Sequence, residues 1–118
     1  MRFYIPIELK SLLNERMHWR ALAALKKTQR VATNVCMHGL DLPTPPLLVT
    51  ITRIGPRRLD DDNLSSACKY VRDEIARAIG VDDGSSIYTW IYKQQTGKYG
   101  VDVEIVSRES DAGCKQEG

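Results

Sequence analysis

Between Asp62 and Gly80 the apolar residues fall at helical spacing. Leu64, Ala67, Cys68, Val71, Ile75, Ala78 and Ile79 follow the i, i+3, i+4, i+7 pattern. At about 100° per residue they gather on one face. Asp62 is a good N-cap, because its carboxylate can accept an unpaired N–H of the first turn. Gly80 is a suitable stop, since glycine enters the left-handed conformation that ends many helices. A helix over residues 62–79 therefore has one side to bury, and the rest of the chain must supply what it packs on.

The remaining segments supply strands and one more helix. Residues 47–54, LLVTITRI, are a β-branched run and read as a strand. Residues 87–95 and 100–107 read as two more strands, with Thr96-Gly97-Lys98 turning between them as a hairpin. Residues 2–9 make a first strand, stopped or bent by Pro6. Residues 11–37 make a long helix, with Met17, Ala21, Ala24, Val31 and Val35 on its apolar side. Residues 38–46 hold Gly39 and three prolines and form a turn; residues 55–61 form a loop. The expected fold is α+β: a mixed or antiparallel sheet of about four strands packed with two main helices. The order is strand, helix, strand, helix, strand, strand. Residues 1–107 form one domain, and 108–118 a polar tail.

At 118 residues the chain can bury a core without staples. Cys36, Cys68 and Cys114 are an odd number without a C-x-x-C pair, which argues against a disulfide framework or a cysteine zinc site. Reduced thiols suit a cytoplasmic protein. No apolar run reaches the length of a membrane span, and the opening MRFYIPIELK lacks the shape of a signal peptide.

Charge is unevenly placed. Residues 1–40 carry seven Lys or Arg against two acids, whereas residues 59–84 carry seven acids against three bases. A basic half joined to an acidic knot suits a protein that holds a polyanion against a divalent metal, although charge runs are often only solvated faces. The acidic knot has structure. Opposite its apolar face, the 62–79 helix presents Asp62, Ser66, Lys69 and Asp73 in one stripe. Asp60, Asp61 and Asp62 crowd its start, and Asp82 and Asp83 follow its end. Adjacent carboxylates repel unless a cation or basic partner neutralises them. Magnesium takes oxygen ligands, usually one or two carboxylates completed by water and phosphate, and aspartates from two loops brought together by the fold can supply them. Arg57 and Arg58 lie just upstream, where they could hold phosphates. The plainer alternatives are a capped helix with a Lys69–Asp73 pair on a wet face, and a simple Asp-Asp-Gly turn.

The stretch RRLDDDNLSSACKYVRDEIARAIGVDDGSSI resembles the RusA-type Holliday junction endonucleases. Those proteins open a helix with D-x-D-N-L, place a lysine and an aspartate along it, and follow it with a D-D pair. Asp60, Asp62, Asn63 and Leu64 match the first element, and Asp83 the second aspartate of the pair. The resemblance implies Asp60, Asp62 and Asp83 as magnesium ligands of a phosphodiesterase acting on branched DNA. The family's lysine lies four residues after the second aspartate, where this chain has Ser66. Lys69, seven residues after Asp62, keeps the same face about 4.5 Å further along the axis. It would stabilise charge on the phosphate or leaving oxygen, or else pair with Asp73. The family's proline-proline-serine-asparagine opening is missing.

The first helix offers a DNA surface. Arg16, Arg20, Lys27 and Arg30 form a basic stripe, with Lys26 at its edge; the alternative is a solvated face. Trp19 within it could stack on an unpaired base, but burial in the core is the simpler expectation. His18 and His38 are not at metal spacing. Tyr88, Trp90 and Tyr92 share one strand face and suit packing or an oligomer interface. A four-way junction is two-fold symmetric and takes two cuts, so the enzyme is expected as a homodimer. The competing readings are a non-catalytic DNA-binding protein of the same fold, and a metal-stabilised oligomer that does not touch DNA.

Overall fold

The computed structural model describes residues 1–10, 19–82 and 84–108. Its elements are β1 (Arg2–Ile5), α1 (Trp19–Met37), β2 (Leu47–Gly55), α2 (Asp61–Ala67), α3 (Lys69–Ile79), β3 (Tyr88–Thr96) and β4 (Gly100–Ser107). The α+β class and the element order agree with the expectation. The second expected helix is two, broken at Cys68.

The four strands form one mixed sheet in the order β1-β4-β2-β3. β4 is antiparallel to both β1 and β2, while β3 is parallel to β2. The expected β3–β4 hairpin is therefore corrected: β2 lies between them. The short link after β3 passes over the end of β2, where Gly97 N donates to Gly55 O at 3.0 Å. Parallel β2 and β3 are joined by the α2–α3 crossover that parallel pairing requires.

Alternation sorts the sheet's two faces. Phe3, Ile5, Leu47, Val49, Ile51, Val101, Val103 and Ile105 are buried. Leu64, Ala67, Cys68, Val71 and Ile75 of the helices join them in one core cluster. That is the face expected for the helix as far as Ile75; beyond it Ala78 is exposed and Ala76 is buried instead. The helix start moves by two residues, with Asp60 rather than Asp62 at the N-cap of α2, in extended conformation (φ −67°, ψ 160°). Gly80 ends α3 in the left-handed region at φ 89°, where a side chain would be strained. β1 stops at Ile5, before Pro6.

The apolar side expected for the first helix is the wrong one. Val31 and Val35 are 53% and 66% exposed, and Ala21 and Ala24 are exposed too. The inward stripe is Gln29, Thr33 and Met37. Two of these are polar, so hydrophobic spacing could not find them; Thr33 turns its hydroxyl back to Gln29 O at 2.7 Å. Met17, His18 and Arg16 lie outside the described residues, as does the tail beyond residue 108. Among the described residues no helix is long and apolar enough to cross a membrane.

Candidate functional site

The acidic end of the molecule is built on a loop fixed from several directions. Alternation along β2 points Arg53 inward, where it is 5% exposed. A buried guanidinium needs acceptors. Nε donates to Leu9 O at 2.9 Å and Nη1 to Arg57 O at 2.7 Å. Arg53 thus ties the segment after β1 to the loop after β2. A Cβ on Gly55 would meet that guanidinium at 2.9–3.1 Å, so the glycine makes room for it. Two residues beyond Arg57, the chain is fixed again. Leu59 N donates to Gln94 Oε1 at 2.8 Å, and Gln94 Nε2 donates to Leu59 O at 2.7 Å. Asp60 follows, its carbonyl accepting from Leu64 N at 2.8 Å to begin α2.

From this base Asp60, Asp61 and Asp62 project as exposed side chains, with exposed Arg57 and Arg58 upstream. Negative charge is favoured at a helix start by the unpaired N–H groups and the helix dipole. Lys69 is exposed and Asp73 half-exposed on the outward side of α3. Asp73 Oδ1 lies 3.9 Å from Arg72 Nε, a neighbour that the sequence reading did not name as its partner.

The later aspartates stand elsewhere. Leu47, at the start of β2, pairs with Tyr88, and Gly55, at its end, pairs with Thr96. Asp60 follows the Gly55 end. Asp82 belongs to the Tyr88 end, where the Tyr88 hydroxyl donates to Val81 O at 2.9 Å. From Asp61 to Ile79 a helix rises about 27 Å, less what the break at Cys68 removes. Ligands of one magnesium ion sit at about 2.1 Å from it. Asp82 and the Asp60–Asp62 group therefore do not meet within one chain, which corrects the expectation that the fold brings the two loops together. Asp83 lies outside the described residues; its neighbours Asp82 and Gly84 are exposed. Among the described residues no group of three or more His, Cys, Asp or Glu side chains is placed to hold a metal ion.

The basic helix runs beside α3. Lys26 Nζ lies 5.7 Å from the Tyr70 ring centre, and Arg30 Nε donates to Glu74 Oε1 at 3.2 Å. These contacts share one offset of 44 residues, so α1 and α3 run parallel and side by side. The start of α1, with Arg20, therefore lies toward the Lys69 end of α3, the end that follows α2. Arg20 lies over the Trp19 ring at 5.0 Å, and Trp19 is 67% exposed rather than buried. Lys26 and Lys27 are exposed. Arg30 is committed inward. Its partner Glu74 is fully buried and also accepts from Asn34 Nδ2 at 3.0 Å and from Arg77 Nε and Nη2 at 3.0 and 2.9 Å. Burial alone would raise the Glu74 pKa, but bonds from Arg77, Asn34 and Arg30 together hold it below the ordinary glutamate value. The same contact raises Arg77.

Glu74, Arg53 and Gln94 were missed by sequence reasoning. For two of them a signal existed. Arg53 continues the buried alternation Leu47, Val49, Ile51, and Gln94 continues Tyr88, Trp90, Tyr92. Trp90 and Tyr92 pack against the core, and Tyr92 Oη accepts from Arg72 Nη1 at 2.9 Å, so these aromatics serve packing. Cys68, fully buried, has its thiol pushed up to about 12 by burial and is inert. No family model matches the chain, and searches of curated proteins and of solved structures find no match.

Proposed function

We propose that the chain is a magnesium-dependent endodeoxyribonuclease that hydrolyses phosphodiester bonds in branched DNA, resolving four-way junctions in recombination and repair. The observation that carries this reading is the exposed Asp60–Asp62 group on a loop pinned by Arg53 and Gln94, with Arg57 and Arg58 beside it. Its oxygen-only donors suit magnesium. The bound ion would polarise a phosphoryl oxygen and lower the pKa of a water that attacks in line. Asp60 and Asp62 would hold it. Arg57 and Arg58 would grip the flanking phosphates, and Lys69 would meet charge on the phosphate or leaving oxygen. Arg20 and Lys27 would follow the backbone along α1.

Asp82 stands at the other end of the sheet and would enter this site only from a second chain. A two-fold dimer can set the start of one α2 against the far end of the other chain's α3. It then carries two identical sites, matched to the two cuts a four-way junction needs. The deciding experiment is cleavage of a synthetic four-way junction and of a linear duplex, each with and without magnesium. Magnesium-dependent cutting of the junction alone supports the reading. The second reading is a non-catalytic DNA-binding protein, favoured by the separation of the two acidic ends within one chain. A monomer that binds junctions and leaves them intact in magnesium would establish it.

A further inference from the structure

Where α1 runs beside α3, the two helices enclose a cleft of about 420 Å³. Ala23, Val31 and Val35 form its apolar wall on the α1 side. Val31 and Val35 leave 53% and 66% of their surface uncovered. Single exposed apolar residues are ordinary, but these belong to a run. Asn34 borders this cleft and a second one of about 240 Å³, where Leu40 and Leu42, 41% and 43% exposed, continue the apolar surface. From Ala23 to Val35 the wall is about 18 Å long, a little over three helical turns.

The rim of the cleft is cationic. Lys26, Lys27, Arg30 and Arg77 line it. The acid among the lining residues is Glu74, which is fully buried and already answered by Arg30, Asn34 and Arg77. Glu74 thereby holds two guanidiniums side by side. Arg30 gives it Nε alone, and Arg77 gives Nε and Nη2, so each keeps N–H donors for a second acceptor. Groups fixed before a partner arrives lower the ordering cost of binding it. A phosphate backbone would use the cations but has nothing to lay on Val31 and Val35. A second copy of this chain, docked about a two-fold axis, would set its own four cations against these, and opposed like charges are costly. A helix with aliphatic residues on one face and carboxylates along its edges answers both the wall and the rim, as amphipathic helices do in apolar grooves.

We infer that the α1–α3 cleft docks an acidic amphipathic helix of another protein. Its aliphatic face lies on Val31 and Val35, and its carboxylates meet Lys26, Arg30 and Arg77. Docking here is independent of the metal site and of DNA cutting.

The test uses a synthetic peptide of about 15 residues, with leucines on one face at i, i+4, i+7 spacing and glutamates beside them. Its binding to the full chain is followed by fluorescence anisotropy and mapped by amide chemical shifts. A scrambled peptide of the same composition, and a version with lysine in place of glutamate, are compared with it. The expected result is one-to-one binding of the acidic peptide alone, with shifts at Arg30, Val31 and Val35 and an affinity that falls as salt rises. Val35→Asp should weaken binding about tenfold or more, because it removes an anchor and adds a like charge. Gln95→Asp, exposed on β3, adds the same charge elsewhere and should leave the affinity unchanged. Thermal melts confirm folded protein. If Val35→Asp does not fold, Arg77→Gln decides, since it takes one cation from the rim. Equal binding of the scrambled peptide overturns the inference, because it would show charge attraction without a seat. No binding of the acidic peptide overturns it too, as do shifts that map away from the cleft. Duplex DNA or phosphatidylglycerol vesicles that shift Val31 and Val35 in its stead would assign the cleft to that ligand and also overturn it.

Discussion

Arg30 of α1 donates to Glu74 of α3 across 3.2 Å, and this bond joins the two helices at their middle. Glu74 has no exposed surface and accepts from three side chains, whereas its partner guanidiniums keep part of theirs in water. Replacing it by Gln in Glu74→Gln turns an N–H₂ toward donors. Charged hydrogen bonds of this kind contribute about 1.5–3 kcal/mol, so a loss of that order is expected in urea unfolding. The pH dependence follows from the lowered pKa. A carboxyl held below its unfolded value adds stability above the ordinary glutamate pKa and loses it as pH falls through the folded value. The melting gap between wild type and Glu74→Gln should be full at neutral pH and close in acid. A gap independent of pH would show that the Glu74 charge does not matter.

The same bond separates Arg30 from the other cations of α1. Arg20→Gln and Lys27→Gln should each flatten the salt dependence of DNA binding by about 0.9 in the log–log slope. Arg30→Gln should leave the slope nearly as it was and lower the melting temperature instead. The reverse pattern in salt titrations would place Arg30 on the DNA.

The separation of the two acidic ends predicts complementation between chains. Asp62→Asn and Asp83→Asn should each be inactive on a junction. When mixed and allowed to exchange subunits, they should regain cutting, because the heterodimer contains one site with both aspartates intact. Activity confined to one strand of the junction is the expected signature. No recovery between two dimers shown to exchange would mean that each site draws its carboxylates from one chain.

Two glycines offer a contrast in packing. At Gly55 a new methyl meets the buried Arg53 guanidinium, which is fixed to Leu9 O and Arg57 O. Gly55→Ala should cost about 1–3 kcal/mol, as overpacking usually does. At Gly100 the methyl meets the ring of Tyr4, which is half-exposed and can swing outward. Gly100→Ala should fall within about 0.5 kcal/mol of wild type. Equal losses in denaturant melts would mean that Tyr4 is held as firmly as Arg53.

Much of the fold was legible where burial is apolar and regular. The α2–α3 face and the strand over 47–54 show their periods openly. The reading failed where inward positions are polar. Gln29 and Thr33 hide the true inner side of α1, and Val31 and Val35 advertise the opposite side. Glu74 escaped because α3 is covered on two sides, by the sheet and by α1, and only the first is apolar. The hairpin error has another cause. A three-residue link suits a hairpin and also suits a step over one strand end, about 10 Å at sheet spacing. Nothing local in Thr96-Gly97-Lys98 records that β2 lies in between. Asp60, Asp62, Arg57 and Arg58 could be named from sequence because surface chemistry is carried by residue type. The distance between Asp62 and Asp82 could not, since it depends on which end of the sheet each loop leaves.

The strand order carries a consequence for how the protein is made. Among the described strands β4 is the last to emerge during synthesis, yet it is an interior one, paired to β1 on one side and β2 on the other. Until residues 100–107 leave the ribosome, β1 has no strand to pair with, and β2 keeps a bare edge of unpaired amides and carbonyls. Such edges recruit other chains. A nascent chain stalled just short of Gly100 would therefore carry its aggregation hazard at both places that the final eight-residue strand is built to fill.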